Sequence, residues 1–476
     1  MTDRRGVVWT FVVTSLAAFM VSLDNLVVTT ALPSIRTELD AGLEGLEWTV
    51  NAYTLTFGVL LMTGATLGER FGRRRVLAIG LAVFTAASAA AALAPSIEWL
   101  VLARAVQGAG GALVLPLTLT LLSAAVPPQR RGAALGVWGA VNGVAVALGP
   151  LVGGAVVEGL AWQWIFWINV PIGIALLPVV LRRLPHSLGV PRSLDLPGLA
   201  LVTAGLLGIV LGLVRGNAHG WTSATVLLPM LAGGLLLAGF VAWELRAKEP
   251  MLPMGMFRSR GFAVSNVVSL LFSFGMFGSI FLLAQYLQTV QGSSPLEAGL
   301  KTLPWTAMPL LVAPLAGPLS DRIGGRPILA TGLALQAIGL GLLATSMTPT
   351  TGYSAMVPAF VLSGLGMGMV FAPLANEVLG SVDRSLEGVA SGANNAIREV
   401  GGVLGVAILA AVFAGQGGYA SPQTFVDGTV PAVWVGAAVV AVGAVAALAL
   451  PRRRRTPQAE PVVDLRTQPA PVPVPA

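Results

Sequence analysis

The chain has no cysteine. Disulfides, thiolate metal sites and cysteine nucleophiles are therefore excluded. Its two histidines, His186 and His219, fall far apart in loop-like sequence, and neither is assigned a role. Only 10% of the 476 residues are charged, against about 25% in soluble globular domains. The two lysines, Lys248 and Lys301, follow Ala247 and Leu300. Neither stands in the Gly-Lys-Ser/Thr of a phosphate-binding loop, so ATP hydrolysis is not the expected energy source. No Ser/His/Asp set, metal-ligand cluster or sizeable polar domain supports a membrane enzyme or a receptor, and no cofactor is expected.

What is abundant is apolar: 55% of the residues are hydrophobic. They gather in runs of about 20, the length that crosses a bilayer as a helix. Fourteen spans are expected, at 8–32, 47–66, 76–95, 99–122, 132–157, 164–182, 198–214, 224–245, 262–287, 298–319, 327–346, 354–376, 388–413 and 430–450. The first is too long for a signal-peptide core and lacks a small-residue cleavage site, so it is read as retained. The net charge of +7 follows topology and does not indicate nucleic-acid binding. Of the 28 basic residues, 23 lie at the N-terminus, in loops after even-numbered spans or in the tail; Arg36, Arg215 and Lys301 lie near the other face. Basic residues stay cytoplasmic, which puts both termini there. Trp48, Trp99, Trp162, Trp164 and Trp167 cluster near the expected outer interface, as aromatic belts do. Arg outnumbers Lys 26 to 2, and with the Ala, Gly, Val and Leu excess this suggests a GC-rich bacterial genome. The expected location is the bacterial cytoplasmic (inner) membrane.

An internal repeat fixes the expected architecture. Leu67-Gly-Glu69-Arg70-Phe-Gly72-Arg73-Arg74 returns as Leu319-Ser-Asp321-Arg322-Ile-Gly324-Gly-Arg326, and Gly132, Gly136 and Gly149 return as Gly388, Gly392 and Gly405. The expected fold class is all-α integral membrane. A six-helix bundle at 1–184 is followed by a two-helix insert with linkers at 185–261, a second six-helix bundle at 262–450 and a disordered cytoplasmic tail at 451–476. Two parallel repeats around a central path form a transporter architecture.

The residue that organises the first bundle is Arg104, inside the fourth span. A guanidinium at that depth requires a buried partner or a water-filled cavity. Gly108 and Gly111 share its helix face, so a neighbouring helix can approach. Asp24 in the first span is the candidate partner. It lies about 8 residues before the outer end, roughly 12 Å deep at 1.5 Å per residue, and Arg104 about 5 residues in, roughly 8 Å deep. Burial favours a protonated carboxyl and a nearby guanidinium an ionised one. Moving Arg104 away from Asp24 would therefore take up or release a proton. The alternative reading is an Arg that only ties two helices together.

Other polar or small-residue clusters have assignable mechanics. In the 67–75 loop Glu69 can accept from a neighbouring helix N-terminus or pair with an Arg, and Gly72 permits the tight turn. Glu69, Arg70, Gly72, Arg73 and their counterparts Asp321 and Arg322 are read as a gating latch, or simply as positive-inside loops. In the fifth span Gly149, Pro150 and Gly153 allow close packing and a bend at a moving seam. Asn394, Asn395, Arg398 and Glu399 of the thirteenth span form either a structural network or a cavity wall. Arg398 and Glu399, as chain neighbours on a helix, are each expected to need their own partner. Phe274, Phe277, Phe281 and Gln285 are helically spaced in the ninth span and face either lipid or a drug-sized cavity, to which Asn25 and Gln107 are also candidate contributors.

Over residues 8–450 these motifs together resemble the major facilitator superfamily, and within it the 14-helix drug:H+ antiporter branch. The residues carrying the resemblance are Leu23-Asp24 with Ala31-Leu32-Pro33, the 67–75 loop, and Arg104-Ala-Val-Gln107-Gly108. To these are added Gly149-Pro150-x-x-Gly153-Gly154 and Trp164-Ile-Phe166-Trp-Ile-Asn169-Val-Pro171. The resemblance implies proton coupling by Asp24 and Arg104, an antiporter hinge at Gly149-Pro150 and a gate at 67–75. Glu69 stands where the branch usually has Asp, Ala65 where it has Gly, and Gln163 where Arg is frequent. The expected function is export of amphipathic small molecules in exchange for protons, by a monomer whose partners are its substrate, protons and lipid. A dedicated exporter of one self-made antibiotic or other secondary metabolite is the alternative; proton-coupled uptake is disfavoured by the Gly-Pro motif.

Overall fold

In hydrocarbon each backbone N–H and C=O needs an internal partner, and a helix supplies all of them. The computed structural model describes residues 4–126, 128–184, 193–383 and 386–451, and among them there is no strand. The first bundle contains α1 (Arg4–Glu38), α2 (Leu43–Phe71), α3 (Arg73–Ala92), α4 (Ile97–Ala125), α5 (Pro128–Gly159), α6 (Trp164–Trp167) and α7 (Asn169–Arg183). A hairpin of α8 (Leu196–His219) and α9 (Ala224–Glu244) follows. The second bundle contains α10 (Arg260–Gln285), α11 (Pro295–Thr306), α12 (Met308–Ile323), α13 (Gly325–Ser346), α14 (Tyr353–Gly380), α15 (Glu387–Gln416) and α16 (Pro422–Ala447). The expected disordered tail beyond residue 451 and the 185–192 linker, with His186, lie outside the described residues.

Thirteen of the described helices are long and apolar enough to cross a membrane. The fourteenth crossing, expected as one helix at 298–319, is instead α11 and α12 in series, with a turn at Ala307. Pro309 lacks the N–H that would continue the ladder and disfavours helical geometry in the residue before it, so the helix restarts there. The sixth crossing is likewise split, at Ile168, into the short α6 and α7. The ninth is longer than expected, because a π-helical turn at Tyr286–Val290 extends α10.

The duplication is visible as repeated helix crossings. α3 meets α4 where Gly80 and Gly110 face each other; a methyl group on Gly80 would stand 3.0 Å from the Gly110 carbonyl. α13 meets α14 through Gly332 and Gly366 with the same 3.0 Å. The turn between α2 and α3 pivots on Gly72 (φ 97°), and that between α12 and α13 on Gly324 (φ 92°). A left-handed φ is essentially glycine's alone, so both copies keep it. The inserted hairpin lays Leu206, Val210 and Val214 of α8 on Leu55 and Val59 of α2 and Val403 and Ala407 of α15, across the join of the two bundles.

Helices α2, α7 and α12 end in Arg70, Arg182, Arg183 and Arg322, which define a basic face. At the opposite face the bundles are locked together. Glu158 of α5 accepts hydrogen bonds from the Ser294 hydroxyl and, at 3.0 Å, the Leu296 N–H, so it caps α11 from the other bundle. Gln288 donates to the Thr30 carbonyl at 2.9 Å and Thr306 to that of Ala147 at 3.1 Å. A methyl on Gly154 would stand 2.2 Å from the Pro295 carbonyl. Toward the basic face the same α5 seam loosens: a methyl on Gly143 would find only Leu310 at 3.4 Å, and on Gly139 or Gly136 nothing within 4 Å. Along α5 the seam is tight at one face and loose at the other, whereas Met62 of α2 still packs with Ala390 and Ala393 of α15 toward the basic face.

Candidate functional site

Five helices of the first bundle converge on one carboxylate. Asp24 and Arg104 pair directly, each side chain 1% exposed, so α1 and α4 are tied by a fully enclosed charge pair. The other Asp24 oxygen accepts from Gln107 Nε2 and from Asn169 Nδ2 of α7, both at 2.8 Å. Gln107, one turn beyond Arg104, also accepts from Arg104 Nη1 at 2.7 Å and donates to Ser88 of α3 at 2.8 Å. Arg104 Nε donates to the Thr49 carbonyl of α2 at 3.2 Å. Its guanidinium lies 4.1 Å from the centre of the Tyr53 ring, a cation–π contact in a dry site. The close approach follows from glycine: a methyl on Gly108 would stand 2.3 Å from the Tyr53 carbonyl of α2. Buried charges persist only when paired and hydrogen-bonded, and here both are.

Matching depths along α1 and α4 therefore brought the right two residues together. Asn169 was read only as part of the 164–171 motif, and Ser88, Thr49 and Tyr53 escaped the sequence reading. Ser88 and Asn169 are lone polar residues in apolar runs, which is a usable signal; the Thr49 carbonyl leaves none. Gln107 was expected at a cavity wall and is instead sealed inside the charge cluster, because the same helix face carries Arg104. Asn25 is half-buried on α1 beside the site.

In the 67–75 loop Glu69 binds Arg73 bidentately, at 2.8 and 3.0 Å, across the Gly72 turn. Of the two expected partners, a helix N-terminus or an Arg, it takes the Arg that opens α3. Arg70 is exposed, near Phe71. In the second copy Asp321 and Arg322 are exposed. There the turn is held by Glu377 of α14, which accepts from the Gly325 N–H at 3.0 Å. The Gly149-Pro150-x-x-Gly153 stretch lies on both seams of α5. A methyl on Gly149 would meet Leu26 Cβ of α1 at 2.8 Å, one on Gly153 the Val27 carbonyl at 2.7 Å, and the Pro150 carbonyl abuts Gly299 of α11.

In the second bundle Arg398 and Glu399 pair with each other at 3.1 Å, contrary to the expectation of separate partners. Two long side chains can curl around the helix even when their Cβ atoms diverge. Asn394 donates to Asn266 of α10 at 3.1 Å, and Asn395 to the Ser391 carbonyl of its own helix at 3.0 Å. The Phe274, Phe277, Phe281 and Gln285 stripe does not face an open cavity. Phe274 and Phe281 are buried in the bundle, Phe277 packs on Gly402, and Gln285 accepts from the Tyr419 hydroxyl. Beside open space stands instead the half-buried Phe371 of α14, packed edge to face at 5.4 Å on the fully buried Phe272 of α10.

The sequence matches the profile of the Major Facilitator Superfamily over residues 14–256 and 265–473. The chain belongs to that superfamily. This facilitator is 35% identical over 432 residues to a tetracenomycin C resistance and export protein of Streptomyces glaucescens, covering 90% of the chain and 80% of that relative. It is 38% identical over 413 residues to a cephamycin export protein of Amycolatopsis lactamdurans, covering 85% of each. It is 36% identical over 437 residues to a puromycin resistance protein of Streptomyces alboniger, covering 89% and 86%. Among solved structures, a POT family transporter superposes with a TM-score of 0.69 at 15% identity, over 93% of this facilitator and 95% of that chain. That likeness concerns the fold. The facilitator is thus a multi-pass membrane transporter and not an enzyme.

Proposed function

We propose that this facilitator exports amphipathic small molecules, drugs or antibiotics, across a bacterial cytoplasmic membrane in exchange for protons. The basic face is the cytoplasmic one, so both termini are cytoplasmic and cargo enters from the cytoplasm along the looser α5 flank of the seam. The working unit is a monomer. The observation that carries the reading is the enclosed Asp24–Arg104 pair joining α1 to α4. A charge pair between two helices is a tie that a proton can cut. With Asp24 ionised the tie holds; when Asp24 takes a proton the attraction is lost and the helices are free to shift. Arg104 keeps the Gln107 oxygen, the Thr49 carbonyl and the Tyr53 ring through that change, so it is never left bare. The driving force is worth about 2.3 kcal/mol per charge per 100 mV. In this scheme the Gly149-Pro150 stretch flexes the seam and the 67–75 loop biases its two positions.

The names of the relatives support a second reading, a dedicated exporter of one self-made antibiotic. Growth inhibition of a pump-deficient host, with and without the facilitator, across a panel of unrelated drugs separates the two. Protection against many compounds supports broad export, and protection against one supports dedicated export. In proteoliposomes an imposed pH gradient should drive uphill accumulation of a protected compound. Accumulation indifferent to the gradient would refute proton exchange.

A further inference from the structure

Among the described residues, four acidic or basic side chains lie about two turns or more from both ends of their helices: Asp24, Arg104, Arg398 and Glu399. Three are shut away. Asp24 and Arg104 saturate each other, and Glu399 is 3% exposed, facing the α2 seam, where a methyl on Gly58 would stand 2.8 Å from its Cβ. Arg398 alone reaches open space, with 28% of its side chain exposed.

What it reaches is a cavity of about 90 Å³ lined by Ser269, Phe272, Phe371, Asn394, Asn395 and Arg398. Drug-sized pockets run to about 300–1,000 Å³, so this one is a subsite for part of a larger molecule. Its walls combine the half-buried Phe371, backed edge to face by the fully buried Phe272, with one guanidinium, and no carboxylate lines it. Asn394 and Asn395 spend amide protons on Asn266 and Ser391. Arg398 uses Nη2 toward Glu399, which leaves most of its five N–H donors for a ligand.

Resting on the export reading above, we propose that the cargo is an aromatic acid. Its ring packs on Phe371, and its oxyanion, a carboxylate or an acidic phenol, is bound by Arg398. A planar guanidinium takes such an oxygen pair bidentately, and partial desolvation strengthens the contact. An amine carried into the same subsite meets like charge, and the only nearby carboxylate, Glu399, lies behind the helix.

Three probes with one ring system isolate the charge: 1-naphthoate, 1-naphthalenemethanol and 1-naphthylmethylammonium. Binding is measured calorimetrically to the full chain in nanodiscs, with empty nanodiscs subtracted. Naphthoate should bind at least about tenfold tighter than the ammonium, the advantage shrinking with salt. Arg398→Gln should erase the naphthoate advantage and leave the alcohol unchanged; Arg398→Lys should keep part of it. Equal or tighter ammonium binding overturns the proposal, as does an equal loss of all three probes in Arg398→Gln, which would mark a purely structural residue. Wild-type export of the drug panel is scored alongside. Export of cationic dyes as efficient as that of acids refutes the charge selection and leaves export standing, whereas no export at all strikes the reading beneath it.

Discussion

Replacing Asp24 by Asn and Arg104 by Gln, singly and together, separates a proton switch from a structural tie. In the wild type three donors converge on Asp24: Arg104 on one oxygen, Gln107 and Asn169 on the other. Asparagine offers one acceptor and one donor group, so in either orientation its NH2 faces a donor. Removing one partner of a buried ion pair costs about 3–5 kcal/mol. The introduced amide would keep an acceptor for Gln107 and Asn169, which sets Asp24→Asn near the lower end, about 3 kcal/mol, or roughly a hundredfold in the folding equilibrium at 1.4 kcal/mol per tenfold. Arg104→Gln strands the carboxylate and should cost a similar amount. The double variant buries no charge and can remake an amide–amide contact, so it should be more stable than either single variant. Thermal unfolding followed by intrinsic tryptophan fluorescence gives the four corners of the cycle. Uphill export in proteoliposomes under an imposed pH gradient is measured on the same four. If the pair switches with a proton, the double variant regains stability and remains unable to concentrate substrate. Gradient-driven export by the double variant at the wild-type rate would refute the reasoning and reduce the pair to a tie.

Glu69→Ala should leave expression intact and slow the initial export rate, because Arg73 loses its bidentate partner across the Gly72 turn; an unchanged rate would make the loop a topological signal only. Gly110→Val should abolish a monodisperse chromatographic peak, since even a first methyl would lie 2.6 Å from the Phe84 backbone nitrogen, whereas Gly136→Ala, with nothing within 4 Å, should be tolerated or gain up to about 1 kcal/mol. A reporter active only in the cytoplasm, fused after Leu450, should be on; an enzyme active only outside should be off, and the reverse result would invert the topology.

The sequence was most informative where polarity is expensive. Asp24 and Arg104 stood out because hydrocarbon tolerates neither, and matching their depths from opposite faces paired them from the sequence alone. The duplicated loop was equally legible, since a left-handed turn restricts the choice to glycine at Gly72 and Gly324. The phenylalanine stripe of α10 misled because in a bundle that is apolar all round, a helical period marks a face without saying whether lipid, core or cavity lies against it. Partner choice for Arg398 failed for a different reason. It settled on its chain neighbour Glu399, which side-chain reach permits and Cβ geometry alone does not reveal. The break at Ala307 needed the weight given to Pro309 that was given to Pro150, although α5 stays helical through its proline and the crossing at 307 does not.

The duplication is unequal in one respect. The counterparts of Asp24 and Arg104, at the offsets of the repeat, are Met276 and Phe360, and both are apolar core in the second bundle. The second bundle's own pair, Arg398 and Glu399, sits on a single helix, where no change in charge can pull one helix against another. If the proposed exchange and subsite hold, the machine is divided between its halves, with an engine in one and a filter in the other. Substitutions around Ser269, Phe371 and Asn394 would then retune which molecules enter without touching the drive, and a new cargo would need no new motor.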